Sequence, residues 1–117
     1  MRWQLKSSRF PYVPIRIDLR GRSYEVEALL DTGFDGHAAL PEGLIPSSEA
    51  PDGSIDGELA DGSVLPVAYY VGSVAVAELD AQPCLVMAMG NEPLIGRAVT
   101  DNFTVILDHG RQIILEE

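Results

Sequence analysis

Asp31 stands directly after the apolar run Ala28-Leu29-Leu30 and is followed by Thr32 and Gly33. A carboxylate at the end of a buried strand is costly to desolvate, so its presence there asks for a chemical reason. Thr32 adds a small hydroxyl, and Gly33 allows the chain to turn tightly behind the acid. Phe34, Asp35 and Gly36 continue the loop, and Pro93-Leu94-Ile95-Gly96-Arg97 echoes Leu29 to Gly33 from the far half of the chain. Asp and Gly also end strands for ordinary reasons, so the motif counts only where its surroundings call for it.

Rival chemistries fail on particular residues. Asp31, Asp35, Gly36 and Glu42 match the first, fifth, sixth and twelfth places of a calcium loop, but Gly33 offers no side-chain oxygen at the third place and Pro41 stands at the eleventh. The segment leading into that loop alternates as a strand where a helix is required. A Gly-x-Ser-x-Gly elbow and a phosphate-cradling glycine loop are both missing, and His37 and His109 read as a loop and a turn residue without partners. The single cysteine, Cys84, forms neither an internal disulfide nor a cysteine-based zinc site, and is expected to be buried. No metal or other cofactor is expected.

The elements that must position Asp31 are strands. Val13, Ile15, Ile17 and Leu19 alternate with Pro14, Arg16, Asp18 and Arg20, which predicts a half-buried strand. A turn at Arg20-Gly21-Arg22 leads into Tyr24, Val26, Ala28 and Leu30, alternating with Glu25 and Glu27, so the first thirty residues predict a hairpin running into the Asp31 loop. Ala38-Ala39-Leu40 is a short apolar piece, and Pro41 to Gly53 is too rich in proline and glycine for a helix or long strand and is expected to be a surface excursion. Ile55–Ala60 and Ser63–Val71 flank Asp61-Gly62, a type I′ hairpin signal. Further strands are expected at Val74 and Val76 and over Leu85 to Met87, with a closing hairpin of Phe103–Leu107 and Gln112–Leu115 around His109-Gly110. Helix is expected only as a turn or two between Arg97 and Asn102.

With 117 residues, 46% of them hydrophobic, the chain fits one domain over residues 1–117, and its many short strands predict an all-β, small closed β-barrel with one short helix near the C-terminus. A net charge of −10, from 18 acidic against 8 basic residues, repels phosphate backbones and argues against nucleic acid as a partner. No apolar run reaches the length of a membrane span, and the basic Met1 to Arg9 is not followed by the apolar stretch of a secretory signal, so a cytoplasmic protein with no membrane partner is expected. Met1 to Phe10 reads either as a removable leader or as a dimer-edge strand.

The apolar pair, Asp31-Thr32-Gly33, Gly36 three places on, a hairpin some thirty residues later and Leu94-Ile95-Gly96-Arg97 before a helical turn together resemble the retropepsin family of aspartic proteases. The likeness is greatest to its small prokaryotic members with Asp-Thr-Gly-Phe-x-Gly. The resemblance implies that Asp31 is the catalytic aspartate, that Thr32 hydrogen-bonds across a dimer beneath it and that Gly33 contacts the substrate backbone. Asp35 and Gly36 would border the substrate, Asp61, Gly62 and Ser63 would form the tip of a flap over it, and Gly96 and Arg97 would support the loop, Arg97 through an ion pair to Asp35. Phe34 stands where retroviral enzymes carry a small residue, and the hairpin tip lacks their run of glycines, so substrate preference does not carry over.

Aspartic proteolysis needs two carboxylates sharing a proton, one taking a proton from water while the other donates to the scissile carbonyl. Like charges about 3 Å apart oppose each other's ionisation, which leaves one proton on the pair. This chain has one such loop, so the resemblance implies a homodimer with Asp31 of each copy at the axis, a peptide or protein substrate, and an acidic to mildly acidic optimum. Ile113, Ile114 and Leu115 look suited to an interface sheet. The other reading is a β-barrel peptide-binding or dimerisation module that keeps the fold without hydrolysis.

Overall fold

The structure, a computed structural model, describes residues 2–7, 9–58 and 61–117. Ten strands account for most of it: β1 (Arg2–Lys6), β2 (Tyr12–Leu19), β3 (Arg22–Leu30), β4 (Ala38–Leu40), β5 (Gly53–Glu58), β6 (Val64–Val76), β7 (Gln82–Ala88), β8 (Leu94–Ile95), β9 (Thr104–Asp108) and β10 (Gln112–Glu116). One helical turn, α1 (Arg97–Thr100), lies where helix was expected, and a 3-10 turn covers Glu42–Leu44.

The β2–β3 hairpin is set by its turn. Leu19 pairs with Arg22, leaving Arg20 and Gly21 at φ 49° and 82° as the two central residues, the positive pair that a type I′ connection requires. That register sends Val13, Ile15, Ile17 and Leu19 inward with Ala28 and Leu30, all under 8% exposed, while Arg16 and Glu25 face each other outside. A slip of one residue would turn the whole set to water, at about 1.5–3 kcal/mol for each large apolar side chain exposed.

The barrel closes through six strands. β3 pairs with β8 in parallel, β8 with β4 antiparallel, β4 with β7 in parallel, β7 with β6, and β6 returns to β2 through Ile15–Val76 to Asp18–Ser73. Val74 and Val76 therefore extend β6 rather than forming a separate strand. β5 hangs from β6 as a hairpin outside the ring, paired from Gly53–Tyr69 to Glu58–Val64. Leu59 and Ala60, expected to continue it, lie outside the described residues, as do Met1 and Ser8.

A second sheet has the order β1-β10-β9. Its hairpin turns at His109 and Gly110, at φ 54° and 67°, where Arg111 N donates to Asp108 O at 3.0 Å. β10 lies in the middle of this sheet, so Ile113, Ile114 and Leu115 are 0%, 5% and 0% exposed within one chain and offer no free edge to a second copy. Within one chain, β1 (Arg2–Lys6) pairs along one edge of β10 and β9 along the other. Ile113 and Leu115 join the barrel core.

The excursion from Pro41 to Gly53 is fastened down. The Arg20 guanidinium reaches Asp52 Oδ1 at 2.9 Å, Glu49 Oε2 at 3.3 Å and the Ala50 carbonyl, and lies 5.5 Å from the centre of the Tyr70 ring. Asp52 Oδ2 also accepts from Val71 N at 2.8 Å, tying the start of β5 to β6. Ile45, within the excursion, is buried in the core.

Candidate active site

The loop from Asp31 to His37 leaves β3 and returns as β4, with β8 threaded between them. Leu29 pairs with Leu94 and Leu30 with Ile95, so the two sequence segments that echo each other lie side by side in parallel. Asp31 N donates to Ile95 O at 2.9 Å, which anchors the acid's backbone to the strand. Residues immediately after β8 hold the rest of the loop: Gly96 N donates to His37 O at 2.9 Å, Arg97 N to Phe34 O at 2.8 Å and Ala98 N to Gly36 O at 3.2 Å. Gly96 is required by this closeness. A Cβ there would stand 2.7 Å from both Phe34 O and the Phe34 ring and would also collide with Gly36 O.

Asp31 is half-buried, and its Oδ1 accepts from Gly33 N at 2.9 Å. This fixes one carboxylate oxygen and leaves the other available. The acid borders a small cleft of about 60 Å³ shared with Pro11, Leu30, Thr32, Thr100, Val105 and Leu107. Thr32 and Gly33 are exposed at its mouth, and Leu107 stands 61% exposed beside them. Phe10, 60% exposed, precedes the lining residue Pro11. An acid is thus set beside an apolar surface that nothing in one chain covers.

Asp35 and Arg97 are both exposed, and no ion pair within 4 Å joins them among the described residues. The expected link through side chains is replaced by the backbone bond from Arg97 to Phe34, which needs no particular side chain. Gly36 lies inside the same set of loop bonds. Asp61, Gly62 and Ser63 occupy the tip of the β5–β6 hairpin; Gly62 takes φ 85°, and Asp61 Oδ1 accepts from Ser63 Oγ at 2.6 Å and Ser63 N at 2.9 Å. Those bonds, the hydroxyl first, hold the Asp61 carboxyl below its usual value. None of the three tip residues lines the Asp31 cleft.

Sequence reasoning missed Pro11, Thr100, Val105 and Leu107 as neighbours of the acid. They arrive from three separate segments, and no local pattern marks them as neighbours of Asp31. Among the described residues no group of three or more His, Cys, Asp and Glu side chains could hold a metal ion, and no helix is long and apolar enough to cross a membrane.

No protein-family profile matches the chain, and no curated protein is detectably similar to it in sequence. Among solved structures, a retropepsin-like aspartic protease from Rickettsia conorii superposes with a TM-score of 0.64, covering 99% of this chain and 91% of that one at 13% identity. The fold is retropepsin-like. The all-β barrel with its short C-terminal helical turn is thereby accounted for as a known architecture; at this identity the likeness speaks to fold alone.

Proposed function

We propose that the protein is an aspartic endopeptidase, active as a homodimer of one retropepsin-like domain per chain. The observation that carries this reading is Asp31, whose carboxylate accepts from Gly33 N and whose backbone N–H donates to Ile95 O, set beside an uncovered apolar surface. A pure binding module has no evident use for an ionisable group so placed.

A second copy related by a two-fold axis would bring its own Asp31 against the first and cover Leu107. Water held between the two carboxylates is then activated by the ionised one, which takes a proton as the water oxygen attacks the scissile carbonyl carbon. The protonated Asp31 of the partner subunit donates to the carbonyl oxygen, giving a neutral diol. Collapse of the diol returns a proton to the amide nitrogen, the C–N bond breaks, and the dyad recovers its single proton. In this reading Thr32 braces the pair across the axis, Gly33 and Gly36 line the substrate backbone with Asp35, and the tip at Asp61, Gly62 and Ser63 closes over the peptide. Gly96 and Arg97 support the loop through their backbone bonds.

The test is cleavage of a diverse peptide library from about pH 3 to 8 by wild type and Asp31→Asn, with the assembly state of both measured by sedimentation. Wild-type cleavage that falls at least a thousandfold or so in an equally dimeric variant supports the proposal, that being within the range a positioned acid–base group contributes. An active monomer sinks it, and a dimer that binds peptide without cleaving it at any pH favours the binding module.

A further inference from the structure

Phe34 fastens the Asp31 loop through its amide, its carbonyl and its ring. The amide donates to Asp31 O at 3.1 Å, closing a four-residue turn over Thr32 and Gly33. The carbonyl accepts from Arg97 N at 2.8 Å. The ring reaches two glycines: a Cβ on Gly36 would stand 2.6 Å from Phe34 Cζ and 2.7 Å from its Cε1, and one on Gly96 would stand 2.7 Å from its Cδ2. The far end of the half-buried ring therefore rests on Gly36 and its near edge on Gly96.

Neither glycine takes a positive φ, and Gly96 sits at −99°, so neither serves a left-handed turn. At an ordinary φ, alanine would restrict the unfolded chain and favour folding, unless its methyl group had no room. Here it has none. The three atoms nearest a Cβ on Gly36 all belong to the Phe34 ring, and a Cβ on Gly96 meets the ring together with the Phe34 and Gly36 carbonyls.

The turn that Phe34 closes also carries Gly33 N to Asp31 Oδ1 at 2.9 Å, the bond that engages one carboxylate oxygen and leaves the other free. The ring acts on the acid through this turn and not by contact, since Phe34 is not among the residues lining the Asp31 cleft. We propose that Phe34 is a positioning residue for Asp31, its ring seated on Gly36 and Gly96 to hold the turn that aims Gly33 N at the carboxylate. Its effect on catalysis rests on the peptidase reading; its hold on the turn does not.

The experiment measures peptide cleavage by wild type, Phe34→Ala and Phe34→Leu at concentrations where all three sediment alike, and amide exchange of Gly33 and Phe34 by NMR. Phe34→Ala is expected to lower kcat by at least about tenfold, within the roughly hundredfold that a slight misplacement of a reacting group costs. KM should stay within about threefold, because a side chain outside the cleft contributes little to substrate binding. The Gly33 and Phe34 amides should exchange at least about tenfold faster, a larger factor than the amides of β2 show. Phe34→Leu reaches Gly96 with its Cδ carbons but stops short of Gly36, so it should lie between the other two in both measures; it carries the comparison if Phe34→Ala does not fold. Gly36→Ala should lower the thermal midpoint by several degrees in wild type and by at most about half as much in either Phe34 variant, because the ring it collides with is gone.

Faster exchange in the variants of a wild type that cleaves no peptide defeats the peptidase reading and leaves the hold on the turn standing. Cleavage with kcat unchanged, a loss confined to KM, unchanged exchange, or a Gly36→Ala cost equal on all backgrounds overturns the inference alone. No cleavage together with unchanged exchange overturns both.

Discussion

Arg97 meets Phe34 through the backbone, its amide donating to the Phe34 carbonyl at 2.8 Å, and this single bond takes the place of any contact between the Arg97 and Asp35 side chains. The neighbouring Gly96 packs so tightly on the same carbonyl that a Cβ would stand 2.7 Å away. The support of the Asp31 loop is therefore steric and backbone-borne.

Gly96→Ala is expected to force the loop off β8, destabilising the chain by about 1–3 kcal/mol, the range for overpacking. Arg97→Ala keeps the backbone bond and should stay within about 0.5 kcal/mol of wild type, as surface substitutions do. Thermal unfolding of the two variants side by side checks both; equal losses would show that the arginine side chain carries the loop after all.

Leu107→Glu places a charge on the exposed residue beside Asp31 in each copy. Dissociation of the proposed dimer should rise by about 30-fold or more, corresponding to a central interface residue worth at least 2 kcal/mol. Sedimentation across a concentration series reads this, and peptidase activity should fall in step with the dimer. A dimer indifferent to the change would move the axis away from this face.

Asp52 is held below its ordinary value of 3.8, first by the Val71 amide and then by the Arg20 guanidinium. A carboxyl depressed in the folded state adds stability that is present above its unfolded value and lost as pH falls through the folded one. The tether of the excursion should therefore survive to about pH 4 and loosen below it. Arg20→Gln should raise the Asp52 value only part of the way back, because the Val71 bond remains. Carboxyl titration by NMR in both proteins decides the matter; an Asp52 that titrates at 3.8 in wild type contradicts the geometry.

Cys84 is 2% exposed, and burial pushes its thiol up to about 12. A thiol reagent at about pH 8 should leave the folded protein unlabelled and react fully once it is denatured, since reaction needs both access and thiolate. Fast labelling of the folded protein would mean that β7 opens readily.

Strands were legible wherever one face meets the core and the other meets water. β2 and β3 alternate residue by residue because each carries a buried and a wet face, and the turn at Arg20-Gly21 carried its own chemistry. β10 resists such reading for the complementary reason. Ile113, Ile114 and Leu115 form an unbroken apolar run, which marks a strand with both faces covered but does not name its neighbours; β1 and β9 pair with its two edges from the same chain, and Ile113 and Leu115 pack into the core. The Arg97–Asp35 pair was unreadable in a different way, since two opposite charges at suitable positions fix neither a rotamer nor a contact.

The sequence by itself determined the all-β class, the turn between β2 and β3, the helical turn after Gly96 and the placing of Asp31 at a strand end, because alternation, turn residues and glycine requirements are local. The type I′ turn expected at Asp61-Gly62 is instead a longer loop closed by the Glu58–Val64 pair, with positive φ at Gly62 and not at Asp61. Only the tertiary structure decided that β8 threads between β3 and β4 to lock the Asp31 loop. It alone brought Pro11, Thr100 and Leu107 to the acid. These contacts join segments far apart in the chain, and their partners are chosen by the shape of the closed barrel, which no local pattern encodes.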